Sequence, residues 1–177
     1  MRNYCVAAFA AACLCFGGAA CLASPGYHPT PSDRMFVHEA GYGGNDEIAL
    51  SKIAVRKSNN PVIRKFAATM IVQHSQAGAK LKEIAGSIGI RVPGGVDPKH
   101  FLLEAKLDLL KGASLNKAYL SIMVKDHTAA DHVFQMGTTV NNDKLRNFAV
   151  QTLPIVENHL KMATDLQKGA ASRMAAM

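Results

Sequence analysis

The chain has 177 residues, a net charge of +7, 49% hydrophobic residues and no tryptophan, which accommodates one domain with a real core. Lysines and arginines are scattered rather than clustered, and seven Phe and four Tyr supply few stacking platforms, so nucleic-acid binding is excluded. A basic exterior of this kind is compatible with weak contact to an anionic membrane surface.

Cys5, Cys13, Cys15 and Cys21 are the only cysteines, and all precede Leu22. The apolar run from Cys5 to Phe16 follows Arg2 and gives way to Gly17, Gly18, Ala19 and Ala20. That is the build of a secretory signal peptide, shorter than the roughly 20 apolar residues a bilayer span needs. We expect residues 1–23 to be removed on export, after Ala20 or Ala23, giving a periplasmic or secreted protein. Lipid anchoring at Cys21 is the weaker alternative, because Gly18 stands where that signal usually has Leu. No later segment is apolar for long enough to predict a transmembrane helix. Cleavage at Ala23 leaves no thiol, so any metal would be held by nitrogen and oxygen.

Residues 24–32 contain Pro25, Pro29 and Pro31 and read as an extended tether. Ser32 or Asp33 can cap a first long helix reaching about Lys57, which opens a domain over 33–170. Gly41, Gly43 and Gly44 lie inside that helix and each weakens it by about 1 kcal/mol relative to Ala. They call for a close neighbour or a local break before Glu47. Asn60 caps a second long helix, with Pro61 in its first position, and Gly89 follows its end. Val92 to Pro98 is a loop, and Lys99 to Lys111 a shorter helix stopping at Gly112. Ser114 opens a third long helix, reaching about Val140. A fourth opens at Asn141 or Asn142 and fades near Gly169, with 171–177 a tail. Pro154 should kink it. No stretch alternates with the period of a strand, so the class is all-α.

Each long helix carries an apolar stripe at steps of three and four, interrupted by one ionisable residue. Glu47 lies between Phe36 and Leu50, His74 between Met70 and Leu81, His127 between Met123 and Phe134, and His159 between Ile155 and Met162. Packed as a bundle, the helices would bring these four residues to one level inside it. There is also an internal repeat. Asn60, Ile63, Arg64, Phe66 and Ala67 recur as Asn142, Leu145, Arg146, Phe148 and Ala149. Two related hairpins follow from it, separated by the stretch from Ile88 to Gly112. An antiparallel neighbour needs only about two to eight linking residues. A linker this long can start the third long helix at the same end as the second, the single crossover of ferritin-like four-helix bundles, here carrying the short extra helix.

These residues also resemble the DUF4142 family of exported bacterial proteins. Phe36, Gly43-Gly44, Glu47, Leu50 and Ala54 resemble its first helix, and Phe66-Ala67, Met70, Val72 and His74 its second. Ala118-Tyr119, Met123-Val124 and Asp126-His127 resemble the third, and Phe148-Ala149, Leu153-Pro154 and His159-Leu160 the fourth. The resemblance covers Asp33 to about Leu166 and implies a ferritin-like bundle, with no defined function. One departure is Gln73, where the family typically has Asp before the second-helix histidine.

Glu47, His74, His127 and His159 are therefore the candidate metal ligands. One carboxylate and three imidazoles suit Zn²⁺, Cu²⁺ or a mononuclear Fe or Mn. A di-iron site is disfavoured, since Ile71, Val124 and Val156 occupy the positions that paired Glu-x-x-His motifs need. Asp126, Asp131 and Gln73 are candidate outer partners of the imidazoles. His28, His38, His100 and His132 fall off the stripes. Met70 and Met123, one turn before a histidine, read as core filler rather than Cu(I) ligands. The alternative is a structural or envelope-stress interaction module whose hydrogen-bonded polar core holds no metal. No nucleophile triad, phosphate loop or glutamate pair stands out, so binding without turnover is the expected mode.

Overall fold

The computed structural model describes residues 26–175, with side chains to residue 169; the expected signal peptide and Cys21 lie outside them. Five α-helices follow one another, and the described residues contain no strand: α1 (Pro31–Lys57), α2 (Pro61–Ser87), α3 (Pro98–Leu109), α4 (Gly112–Gly137) and α5 (Asp143–Ala175). None is long and apolar enough to cross a membrane.

Local chemistry sets the helix starts. Thr30, not Ser32 or Asp33, caps α1, so Pro31 and Ser32 belong to the helix rather than to a tether. Thr30 accepts from the Asp33 amide, and Asp33 Oδ2 accepts from the Thr30 amide at 2.8 Å. This reciprocal box needs the acid at the third helical position, which is why Asp33 is not itself the cap. Asp33 also accepts from the Tyr27 hydroxyl and, at 3.1 Å, from the Asn142 amide. It ties the chain's approach to the α4–α5 turn.

Asn60 and Asn142 behave alike. Each accepts from the amides two and three residues on. Arg64 and Arg146 each reach six residues back, to the carbonyls of Ser58 and Val140. The repeat in sequence is a repeat in structure. α4 starts at Gly112 (φ +55°), two residues before Ser114. α5 continues through Pro154 and past Gly169 to Ala175. α1 is unbroken at its glycines. A Cβ on Gly41 would lie 2.8 Å from Val92 Cγ1, so Gly41 admits the crossover chain, whereas Gly43 and Gly44 face open space.

The α1–α2 and α4–α5 hairpins pack through α1 against α4 and α2 against α5. Phe36 near the start of α1 meets Phe134 near the end of α4 edge-on, with ring centroids 5.5 Å apart. Ser51 Oγ, further along α1, lies 2.8 Å from the hydroxyl of Tyr119, earlier in α4. α1 and α4 are therefore antiparallel, and α2 and α4 parallel, as the long crossover requires. The core is in two parts. One holds Phe36, Leu81, Phe134, Leu145 and Phe148; the other holds Leu50, Phe66, Met70, Tyr119 and Met123. Along each long helix, one member of the set Glu47, His74, His127 and His159 falls between the two.

Candidate metal centre

Glu47, His74, His127 and His159 meet in that intervening layer. Glu47, His127 and His159 are almost wholly buried, and the His74 side chain is 10% exposed. Ring centroids of the three imidazoles lie 5.5, 5.1 and 5.3 Å apart. One nitrogen from each ring can be chosen so that all three lie within 4.8 Å of one another. Glu47 stands behind this group. Its Oε2 is 3.0 Å from His74 Nδ1 and its Oε1 is 3.2 Å from His127 Nδ1.

Hydrogen-bond chemistry assigns the free nitrogen of His127 and, with Gln73 presenting its carbonyl oxygen, that of His159. His127 Nδ1 lies 2.9 Å from the Met123 carbonyl oxygen. A carbonyl only accepts, so His127 donates from Nδ1 and keeps its lone pair on Nε2. His159 Nε2 contacts Gln73 Oε1; donating there leaves its lone pair on Nδ1. His127 Nε2 and His159 Nδ1 stand 3.3 Å apart. His74 turns Nδ1 to Glu47, and its Nε2 is buried with no hydrogen-bond partner among the described residues.

Burial dominates the electrostatics. It lowers His74 to about 3, reinforced by His127 and His159, and lowers His127 and His159 to about 4. The rings are therefore neutral at physiological pH, the form that ligates metal. The same burial, then the nearby Asp126 and Asp46, pushes the Glu47 carboxyl well above its usual range.

Of the candidate outer partners, Gln73 reaches the cluster, through His159. Asp126 instead faces His100 Nε2 at 3.5 Å, and Asp131 accepts from Gln135 Nε2 at 2.8 Å. One step along a helix rotates a side chain by about 100°, which carries Asp126 to the α3 side of His127. His100 also places Nδ1 2.9 Å from Asp46 Oδ2, while the Asp97 amide donates to Asp46 Oδ1. This Asp46–His100–Asp126 bridge pins the crossover beside the centre, and the stripes do not announce it. His38 pairs with Glu39 on the surface, and His28 and His132 are exposed. A cavity of about 790 Å³ adjoins the layer, lined by Glu47, His74, His159, Gln73, His100 and Asp126 among others.

Comparison with curated proteins gives no match. A solved structure, that of a DUF305 fragment from Deinococcus radiodurans, is similar at TM-score 0.70 and 14% identity, over 79% of this chain and 97% of that one. At that identity the likeness shows the fold alone, a ferritin-like helical arrangement. The model of the family described as "Domain of unknown function (DUF4142)" matches residues 20–166, nearly the whole of the bundle and its polar layer, and the chain belongs to that family.

Proposed function

We propose that this is an exported metal-binding bundle, in which His74 Nε2, His127 Nε2 and His159 Nδ1 hold one divalent transition ion. One observation carries the reading. His127 Nε2 and His159 Nδ1 stand 3.3 Å apart, and with Gln73 presenting its carbonyl oxygen both carry lone pairs, an arrangement that repels unless a cation lies between them. A proton there is opposed by the burial that lowers both rings to about 4. Nitrogens bound tetrahedrally at about 2.0–2.1 Å stand about 3.3–3.4 Å apart, which the His127–His159 pair already satisfies. A His74 nitrogen lies within 4.8 Å of one from each of the other two rings, so that ring must close inward to complete the set. Glu47 orients the His74 ring through Oε2 and, on losing its proton as the ion binds, would offset the ion's charge, the outer role carboxylates take behind metal-bound histidines. A three-nitrogen set leaves a fourth position for water or a small ligand. The donors suit Zn²⁺ or Cu²⁺ best, with mononuclear Fe or Mn less favoured by nitrogen alone.

The contact chain Glu47–His74 and His127–His159–Gln73 supports a second reading, a structural polar layer without metal. It requires Gln73 to present its amide nitrogen, so that His159 donates from Nδ1 to His127 instead. Thermal unfolding with chelator, Zn²⁺ and Cu²⁺ separates the two. A site at roughly a hundred times its Kd gains about 2.7 kcal/mol, several degrees for a domain of this size. His127→Gln should abolish that gain. Identical midpoints under all three conditions, with no ion by elemental analysis, would leave the structural layer.

A further inference from the structure

We propose that α3 is a membrane-docking element whose outer face enters an anionic lipid surface. The helix is apolar on the wrong side. Its inward face carries His100 and the half-buried Glu104 beside Leu107, which is 1% exposed. Its outward face carries Phe101, Leu102 and Leu109, exposed by 65%, 63% and 82%. At about 100° per residue these three, with Pro98 and Ala105, form one stripe centred opposite Leu107. Among the described residues, the other exposed large hydrophobic ones are Met35, Val62, Val72, Met136, Val150 and Ile155, spread over four longer helices.

Charge selects the occupant. Lys99 and Lys106 line one edge of the stripe, Asp108 lies at the other, and Lys111 follows it; all three lysines are exposed and have no ion-pair partner among the described residues. The helix's one exposed acid, Asp108, is neutralised by Arg56 at 2.6 Å and Lys57 at 3.3 Å. An apolar stripe edged by lysines is the pattern of a helix lying in a bilayer interface. A second copy fits poorly. Twelve residues of helix span about 18 Å, too little for the roughly 800 Å² per partner of a stable interface. Two chains that stay net positive after the loss of Arg2 would also repel across it.

The absence of tryptophan makes the test specific to α3. Phe101→Trp gives the chain a single reporter at the stripe, unaffected by whatever the N-terminal segment does. Its emission should shift to the blue, and be quenched by brominated lipid, on vesicles of equal parts phosphatidylglycerol and phosphatidylcholine, and not on phosphatidylcholine alone. Lys99→Gln with Lys106→Gln should weaken partitioning of that reporter at least about tenfold. In cosedimentation of the otherwise native chain, Phe101→Ser with Leu102→Ser should weaken binding about tenfold or more. These side chains are exposed, so unfolding midpoints should stay unchanged. An unshifted reporter, or binding that survives the serine substitutions, would overturn the proposal. So would a concentration-dependent dimer that those substitutions abolish, since it would assign the face to a second copy.

Discussion

In the metal-binding reading the carbonyl of Gln73 accepts from His159 Nε2, and through that contact sets the tautomer that turns a lone pair on His127. Gln73→Glu, which can only accept while ionised, should therefore keep metal affinity. Gln73→Leu should lower it about 10–100-fold, the usual effect of losing a histidine's outer partner. Competition titration with a chromogenic chelator measures both. The buried rings also predict a pH dependence. His127 is lowered to about 4, against about 6.5 when unfolded. Between those values the unfolded chain binds the extra proton, so each such ring makes metal-free stability fall as pH falls from about 6.5 to 4. Asp46, raised by burial to about 6, has the opposite sign, and its contribution is lost as pH rises through that value. The imidazole part is isolated by difference. Metal-free His127→Gln should show a shallower loss of melting temperature than wild type between about pH 6.5 and 4. The convergence of Glu47 with three histidines was legible in the sequence, because each sits on the stripe of its own helix. The roles within the set were not. Whether a carboxylate ligates or stands behind the rings depends on which nitrogens face it, and periodicity does not encode ring orientation.

Among the elements, glycine positions separate packing from propensity. A Cβ on Gly137 would lie 2.8 Å from the Cβ of Ala149 and collide with the Phe36 ring. Gly137→Ala should destabilise by about 1–3 kcal/mol through overpacking. Gly43→Ala, where nothing lies within 4 Å, should stabilise by up to about 1 kcal/mol through helix propensity. Urea midpoints of the two variants should move in opposite directions. The sequence marks Asn60 and Asn142 as starts because an amide cap precedes an apolar stripe. It misplaces the start of α1, since Thr30, Ser32 and Asp33 are all competent caps and only the Asp33 return contact decides between them. The His100 bridge is invisible for another reason. Its partners come from α1 and α4, and on α3 the apolar residues that would normally mark the buried side mark the exposed one.

For the molecule as a whole, the N-terminal reading predicts a mature protein starting between Cys21 and Ser24. Intact-mass measurement of the native protein checks this, and an unprocessed Met1 on a cytoplasmic protein would contradict it. The parallel course of α2 and α4 also decides where the chain enters and leaves. In an up-down-up-down bundle of four helices the first and last residues meet at one end. Here α1 and α5 run the same way, so Pro31 and Ala175 face opposite ends, separated by about the 40 Å that 27 residues of helix span. A circular permutant would need at least about 12 extended residues to join them. A domain fused before α1 and another fused after α5 would be held at opposite poles, with the bundle as a rigid strut between them.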